Sequence, residues 1–455
     1  MAEMPDVAAG RLPPERIAAN FADIHPPLTN QQALVETSRC YFCHDAPCVA
    51  ACPTGIDVPN FIRKIATGNL KGSARTILDA NIMGGMCARV CSTEVLCEGA
   101  CVRNLDEHKP VAIGALQRHA TDWLFDRREQ LYRRGAPTGK RVAVVGAGPA
   151  GIACAHRLAV LGHAVVVFEA QPKPGGLNEY GIAAYKVPDD FAQKELAWIL
   201  EIGGIEIRYG QALGRDVTLT ALRREFDAVF LGIGLSGVNG LGLEAEDLPG
   251  VLDAVRFIAA LRQAPDLGAI AVGRRVVVVG GGSTAIDVAV QSRRLGAEDV
   301  TIVYRRGPES MSATAGERDF AQVDGVRVRH WARPVELVRA DGHVGAVTFE
   351  RTMLDAAGRL VATGDHYTLA ADQVFKAIGQ LFVSDPLGEG GLEPLDVADG
   401  RLAVNAERET SLPGVFAGGD CIAGGHDLTV DAVQDGKVAA GAIDRRLRAR
   451  DAAAA

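Results

Sequence analysis

The stretch Val142-Ala143-Val144-Val145-Gly146-Ala147-Gly148-Pro149-Ala150-Gly151 constrains the fold more than any other part of the chain. Four apolar β-formers run into a Gly-x-Gly-x-x-Gly turn. A helical pattern spans Ile152 to Leu161, and a second strand pattern, Ala164 to Phe168, ends at Glu169. Strand, tight turn, helix and strand ending in an acid form a dinucleotide-binding unit. Gly146 permits the turn, Gly148 lets backbone N–H groups approach a pyrophosphate, and Gly151 lets the helix pack on the strand. Pro149 and Ala150 open a helix whose N terminus turns positive partial charge toward that phosphate. Glu169 is placed to accept from a ribose hydroxyl and would repel a 2′-phosphate.

The fingerprint then repeats. Arg275 to Val279 runs into Gly280-Gly281-Gly282-Ser283-Thr284-Ala285, a helical pattern continues to Leu295, and the strand Val300 to Tyr304 ends at Arg305-Arg306. Two arginines in place of the acid suit a 2′-phosphate, so the two units are expected to take different ligands. The first takes a ribose diol such as FAD and the second a nicotinamide nucleotide. In Pro172-Lys173-Pro174-Gly175-Gly176-Leu177 the backbone at Gly176 and Leu177 would lie against a flat ring or phosphate. The apolar strand Gln373 to Ile378 ends at Gly379. Near the C terminus, Pro413 to Gly418-Gly419-Asp420 is a strand–glycine–aspartate turn ahead of a helical pattern, Thr429–Ile443. Asp420 would take a ribityl hydroxyl, and the helix beginning at Thr429 would stabilise negative charge on a reduced ring. The expected class is α/β: two Rossmann-like domains, the nicotinamide domain inserted into the FAD domain.

A chain of 455 residues is expected to hold two or three domains. Its net charge of −8 argues against nucleic acid or an anionic membrane as partner. No apolar run reaches membrane-spanning length, and MAEMPDVAAGRLPPER lacks the apolar core of a signal peptide. A cytoplasmic protein is expected. Eight of the ten cysteines fall between Cys40 and Cys101, which in a reducing compartment points to metal rather than disulfides. The groups read Cys40-x2-Cys43-x4-Cys48-x3-Cys52-Pro53 and Cys87-x3-Cys91-x5-Cys97-x3-Cys101. A zinc pair would show two facing Cys-x2–4-Cys knuckles. Three close ligands followed by Cys-Pro is the rhythm of ferredoxin-type ligation, in which the fourth cysteine serves the other cluster. Eight cysteines allow two 4Fe–4S clusters, or one thiolate fewer if another side chain substitutes. Helical patterns at Leu34–Arg39, Pro59–Ala66, Ser73–Ala80 and Ala112–Arg128 surround these groups, after a Pro- and Ala-rich arm over residues 1–28.

From about Leu34 to the C-terminal helix, the chain resembles the iron–sulfur flavoprotein module of glutamate synthase small subunits and dihydropyrimidine dehydrogenases. Three stretches carry the likeness to the second branch: Cys-Tyr-Phe-Cys-His-Asp-Ala-Pro-Cys from Cys40, Cys-Ala-Arg-Val-Cys-Ser-Thr-Glu-Val-Leu-Cys-Glu-Gly-Ala-Cys from Cys87, and Ala-Ile-Gly-Ala-Leu-Gln-Arg-His-Ala-Thr-Asp from Ala112. The interval between Cys91 and Cys97 is longer than in glutamate synthase, and Gln117 stands where the dihydropyrimidine dehydrogenases use a glutamine ligand. The resemblance implies one cluster on Cys40, Cys43, Cys48 and Cys101. It implies another on Cys52, Cys91, Cys97 and Gln117, with Cys87 as a packing thiol. A neutral amide in place of a thiolate makes a cluster less negative and retunes its potential. The family's Ile-Pro-x-Phe-Arg-Leu-Pro beside the flavin reads Ile182-Ala183-Ala184-Tyr185-Lys186-Val187-Pro188 here, keeping a cation at Lys186 without the guanidinium fork. Its Gly-Asp-Thr-Ala reads Gly282-Ser283-Thr284-Ala285. A third arginine of the NADP-dependent animal enzymes aligns with Ser312, which favours NAD.

The expected organisation is a helical iron–sulfur domain over 1–134, the FAD domain over 135–252 and 379–455, and the NAD(P) domain over 253–378. The resemblance implies the electron-input half of a bacterial NAD-dependent dihydropyrimidine dehydrogenase. Its partner would be an FMN-containing catalytic subunit in a hetero-oligomer, a heterotetramer, that reduces uracil or thymine. The chain has no segment resembling the FMN barrel; Cys154 and Cys421 are isolated, with no Cys-x-x-Cys disulfide pair of thioredoxin-reductase type, and no residue is assigned to proton transfer. Glutamate synthase small subunit or another ferredoxin-linked NAD(P)H oxidoreductase is the alternative function. A zinc-stabilised nucleotide-sensing assembly protein is the alternative of another class.

Overall fold

A computed structural model describes residues 6–388 and 395–454. The chain divides into two compact units. One holds 25–179, 189–236 and the described residues from 382 onward; the other holds the described residues up to Ile24, Tyr180–Pro188 and 237–381.

In the larger unit the first fingerprint strand, Arg141–Val145, is central to a five-stranded parallel sheet. The order is Val415–Ala417, Ala228–Leu231, Arg141–Val145, Ala164–Glu169, Ile205–Tyr209. Its central strands are apolar on both faces, as a parallel sheet covered on both sides requires. The helix Pro149–Val160 follows the glycine turn, and its buried face carries Ala150, Ile152, Ala153, Ala155 and Leu158. Gly146 sits at φ +94°, and a Cβ there would strike the Gly232 carbonyl; a Cβ on Gly151 would strike the Gly146 carbonyl. Only glycine closes this turn.

The region that carries the clustered cysteines holds short helices in the same unit, among them Asn30–Ser38, Pro47–Ala50, Val58–Ala66, Leu70–Ala80, Gly84–Val90 and Ile113–Asp126, with most of the cysteines on the turns between them. Val58, Phe61, Ile62 and Ile65 recur at helical spacing and are buried with Ile77, Ile113 and Leu116. Thr29 and Gln32 close a capping box, and Asp57 and Asn69 cap the next two long helices through the Asn60 and Gly72 N–H groups.

The second unit repeats the parallel plan. Its strand order is Arg327–His330, Asp299–Tyr304, Arg275–Val279, Gln373–Lys376, Val251–Asp253. An antiparallel sheet of Ala332–Ala340, His343–Leu354 and Leu360–Ala370 is appended. The N-terminal arm has more structure than its composition suggested. Val7–Ala8 pairs with Val272–Gly273, and the helix Pro14–Asn20, with the Phe21 that follows it, buries Ile17 and Phe21 in this unit's core. The unit also begins earlier than residue 253 and takes in Tyr180–Pro188, a piece expected with the flavin domain. Apolar contacts made far along the chain set these boundaries, and local composition does not reveal them.

Candidate cofactor sites

The eight clustered cysteines line two small cavities, four in each. Cys40, Cys43, Cys48 and Cys101 line the first, with apolar walls from Val58, Ile62, Val111 and Ile113. Cys52, Cys87, Cys91 and Cys97 line the second together with Gln117, Asn81 and Thr93. Cys101, last of the second sequence group, thus joins the first three cysteines, and Cys52 joins the second group. The thiols ring open volumes: among the described residues no three Cys, His, Asp or Glu side chains converge to hold a single metal ion. Burial pushes the Cys48 thiol up to about 11, and burial likewise raises Cys40 and Cys97. Such thiols bind as thiolates once a cation replaces the proton.

Two further observations suit a sulfur-rich anionic group. Phe42 adopts φ +54°, a left-handed conformation uncommon for its type, and its N–H points at Cys40 Sγ across 3.4 Å. The Thr54 hydroxyl lies 3.3 Å from Cys52 Sγ. Gln117 is buried on the helix Ile113–Asp126, and its Nε2 donates to the Gly84 carbonyl at 2.6 Å. That bond holds the amide so that its carbonyl oxygen, the atom able to bind metal, is the one left over. Cys87 is buried on the same cavity wall, and its backbone carbonyl accepts the Cys91 N–H at 3.0 Å.

Sequence reasoning missed three residues around these cavities. Asn81, fully buried, accepts the Met83 N–H at 3.0 Å through Oδ1. Lys437 on the helix Thr429–Ala454 donates to the Ala80 and Thr54 carbonyls at 2.8 and 3.3 Å, tying that helix to both sides of the second cavity. Glu195, buried on the helix Phe191–Leu200, accepts the Gly85 and Met86 N–H groups at 2.8 and 3.1 Å. These open the helix Gly84–Val90, whose flanking Met83 supplies no side-chain cap. Burial pushes Glu195 up to about 8. A lone Asn after a helix, or a Glu inside one, carries no local signal of such a role.

The flavin candidates gather in the same unit. Gly148 and Gly176 lie back to back, so that a Cβ on Gly176 would come within 2.9 Å of Gly148 Cα. Glu169 closes the turn by accepting the Ala147 and Gln171 N–H groups, each at 2.7 Å, and burial raises it above the ordinary carboxylate range. Its remaining lone pairs suit hydroxyl donors. Leu177 opens the short helix Leu177–Tyr180 beside Gly176. Gly419 has φ +77°, and burial with the nearby Asp427 raises Asp420 to about 6. The Thr429 hydroxyl donates to Asn178 Oδ1 at 2.7 Å, and its neighbour Val430 lines the second cysteine cavity.

In the other unit, Gly280 lies at φ +150°, where a Cβ would strike the Ala377 carbonyl, and Gly281 faces the Tyr304 ring. Gly282 lies beneath Ser312 Oγ, and Thr284 follows in the first turn of the helix Ser283–Arg294. Arg305 and Arg306 are exposed at the end of the second fingerprint strand. Gly379, at φ +98°, receives the Asn239 N–H through its carbonyl. The Lys186 ammonium pairs with Asp287 at 2.7 Å and Glu317 at 2.9 Å, and Glu317 also accepts from Ser283 Oγ at 2.9 Å. Tyr180–Pro188 packs in this second unit, where Lys186 bridges the buried Asp287 and the half-buried Glu317.

Residues 17–129 match the family described as dihydropyrimidine dehydrogenase domain II, 4Fe-4S cluster, and residues 140–436 match pyridine nucleotide-disulphide oxidoreductase. The chain is 36% identical over 429 residues to the NAD-dependent dihydropyrimidine dehydrogenase subunit PreT of Salmonella typhimurium, covering 94% of this chain and 98% of that one. It is equally, 36%, identical over 444 residues to the glutamate synthase (NADPH) small chain of Escherichia coli, covering 93% of each. Among solved structures, FprA from Mycobacterium tuberculosis in complex with NADPH aligns with a TM-score of 0.59 at 22% identity, over 69% of this chain and 86% of that one. Thioredoxin reductase of T. acidophilum aligns with 0.52 at 19%, over 68% and 99%. These two show the shared fold. Among the described residues no helix is long and apolar enough to cross a membrane. The protein is an electron-transfer oxidoreductase subunit that takes FAD, a nicotinamide nucleotide and 4Fe–4S clusters, and it belongs to the iron–sulfur flavoprotein family of the dihydropyrimidine dehydrogenase PreT subunits and glutamate synthase small chains.

Proposed function

We propose that the chain is the electron-input subunit of a dihydropyrimidine dehydrogenase, taking electrons from NADH and delivering them to an FMN-containing partner that reduces uracil or thymine. The observation that carries this is the second cavity. It combines the wide Cys91–Cys97 interval with Gln117 on its wall, and Val430 at the start of the C-terminal helix also lines it. Overall identity to PreT and to the glutamate synthase chain is the same, so the reading rests on these residues.

When bound, the cofactors supply hydride acceptance and single-electron steps. The chain's own residues place them. Gly280, Gly281 and Gly282 with Ser283 and Thr284 would cradle the nicotinamide nucleotide's phosphates, and Arg305 and Arg306 would serve its adenosine ribose. Gly146, Gly148, Pro149, Ala150, Gly151, Glu169, Gly176 and Leu177 would hold the flavin nucleotide, with Gly419, Asp420 and Thr429 serving its ring and ribityl chain. Cys40, Cys43, Cys48 and Cys101 would ligate one cluster, and Cys52, Cys91, Cys97 and Gln117 the other. On this reading electrons would pass from the flavin to the second cavity and then to the first.

The isolated holoprotein is expected to oxidise NADH with ferricyanide and to leave uracil unchanged, with a higher kcat/KM for NADH than for NADPH. Adding the FMN-containing partner should restore NADH-dependent uracil reduction. Uracil turnover by the lone chain, or a tenfold preference for NADPH, would overturn the reading. Glutamate formation with a glutamine-hydrolysing partner would favour the glutamate synthase alternative.

A further inference from the structure

The side chain of Asn81 is completely buried, and its Nδ2 has no hydrogen-bond partner in the protein. It lies on the wall of the second cavity, beside Cys52, Cys91, Cys97 and Gln117. Two contacts fix its orientation. Oδ1 accepts the Met83 N–H at 3.0 Å, which directs the amide nitrogen to the other side. The preceding carbonyl, on Ala80, is held by Lys437 at 2.8 Å, so the backbone cannot turn the side chain away freely. A buried N–H donor left unpaired is costly, and native proteins avoid it unless a ligand completes the bond. Everything else facing this wall is sulfur, an amide, small hydroxyl or glycine groups, or apolar side chains.

We propose that Asn81 donates an N–H···S hydrogen bond to a sulfur of the cluster held in the second cavity and thereby raises that cluster's reduction potential. The inference rests on the reading that this cavity holds an iron–sulfur cluster. An added electron increases negative charge on the cluster sulfurs, and a fixed donor aimed at them strengthens as that charge grows. Reduction is therefore favoured, with no atom transferred. The same walls give the first cavity no side-chain amide. Its N–H···S contact comes from the Phe42 backbone.

The test is potentiometric titration of the reduced-cluster EPR signals in the holoprotein, with iron measured in parallel. Asn81→Asp keeps the acceptor for the Met83 N–H and removes the donor, whereas Asn81→Ala removes both. In each, the second cluster should bind its electron about tenfold more weakly, a fall of about 59 mV for a one-electron couple, while the first cluster stays put. An unmoved potential, or both potentials moving together, would overturn the inference. A measurement without mutation decides it if the variants lose the cluster. Wild-type protein labelled with ¹⁵N-asparagine should show a ¹⁵N hyperfine coupling at the reduced second cluster, and its absence would overturn the inference. Wild-type protein without the second iron–sulfur signal would overturn the underlying reading, and this inference with it. A normal signal with unchanged potentials sinks the inference alone.

Discussion

The two cysteine cavities share one group of short helices and differ in what stands among the sulfurs. The first offers four thiols and apolar walls, with Tyr41 and Arg103 at its edge. The second offers a fifth candidate donor, the Gln117 amide, and a buried amide nitrogen at Asn81. It is also tied to the flavin half at Val430, Lys437 and Glu195. Each thiolate adds negative charge to a cluster; a neutral ligand or an N–H donor offsets it. On the proposed assignment, one helical scaffold would provide two sites of different electron affinity.

The largest expected effects separate the cavities outright. Cys101→Ser should remove half of the iron and abolish one reduced-cluster signal, although Cys101 belongs to the second group in sequence. Cys97→Ser should remove the other half. In the presence of the partner subunit, either loss should suppress uracil reduction far more than NADH–ferricyanide turnover, provided ferricyanide accepts directly from the flavin. If Cys101→Ser instead eliminated the signal that Cys97→Ser eliminates, the crossed grouping would fail.

A smaller change is expected at Gln117. Its Nε2–Gly84 bond ties the cavity to the helix Gly84–Val90. Gln117→Ala should shift or remove only the second cluster's signal, with iron falling by at most one cluster. Unchanged spectra and potentials for both clusters would exclude Gln117 as a ligand.

Much of this arrangement is legible in the sequence because its chemistry is local. The turn at Gly146–Gly151 needs glycine for steric reasons that act within a few residues, and the strand before it must be apolar on both faces. Cysteine spacing likewise declared a cluster site, whereas its crossed grouping came from the family resemblance, not from spacing. What escaped depends on partners far along the chain. The ion pairs of Lys186 with Asp287 and Glu317, more than 100 residues away, leave no local signal. Asn81 lines its cavity beside Val430, which nothing near it in sequence indicates. Residues 6–24 looked like a featureless arm because a two-residue strand and a seven-residue helix leave little periodicity.

Glu195 offers a pH test of how the second cavity is held. Its carboxyl rises from an ordinary 4.5 to about 8, chiefly through burial, against backbone bonds and Arg89 that favour the charged form. Asp122, bridged to Arg89 and Arg118, adds repulsion. The native state thus keeps its proton where the unfolded chain has lost it. That contribution to stability is complete below about 4.5 and declines as pH rises towards 8. Glu195→Gln is neutral throughout and keeps an acceptor for the Gly85 N–H. Its Tm relative to wild type should therefore climb between pH 6 and 8. A constant difference across that range would show that Glu195 does not titrate there.

The smallest expected effect is at Cys87, and it bears most directly on which donor completes the second site. Cys87 and Gln117 both line that cavity, so position alone leaves two candidates for one coordination place. They differ in what surrounds them. Cys87 is buried within the helix Gly84–Val90, an arrangement suited to a packing thiol. Gln117 has its nitrogen occupied by Gly84, which leaves its oxygen for metal. Cys87→Ser is nearly isosteric, so full iron content, both EPR signals and unchanged potentials are expected, with at most a small drop in Tm from a more polar buried atom. Loss of one cluster in Cys87→Ser, together with its retention in Gln117→Ala, would reverse the assignment. The second cavity would then be an all-thiolate site like the first, and the difference in their potentials would rest on Asn81 alone.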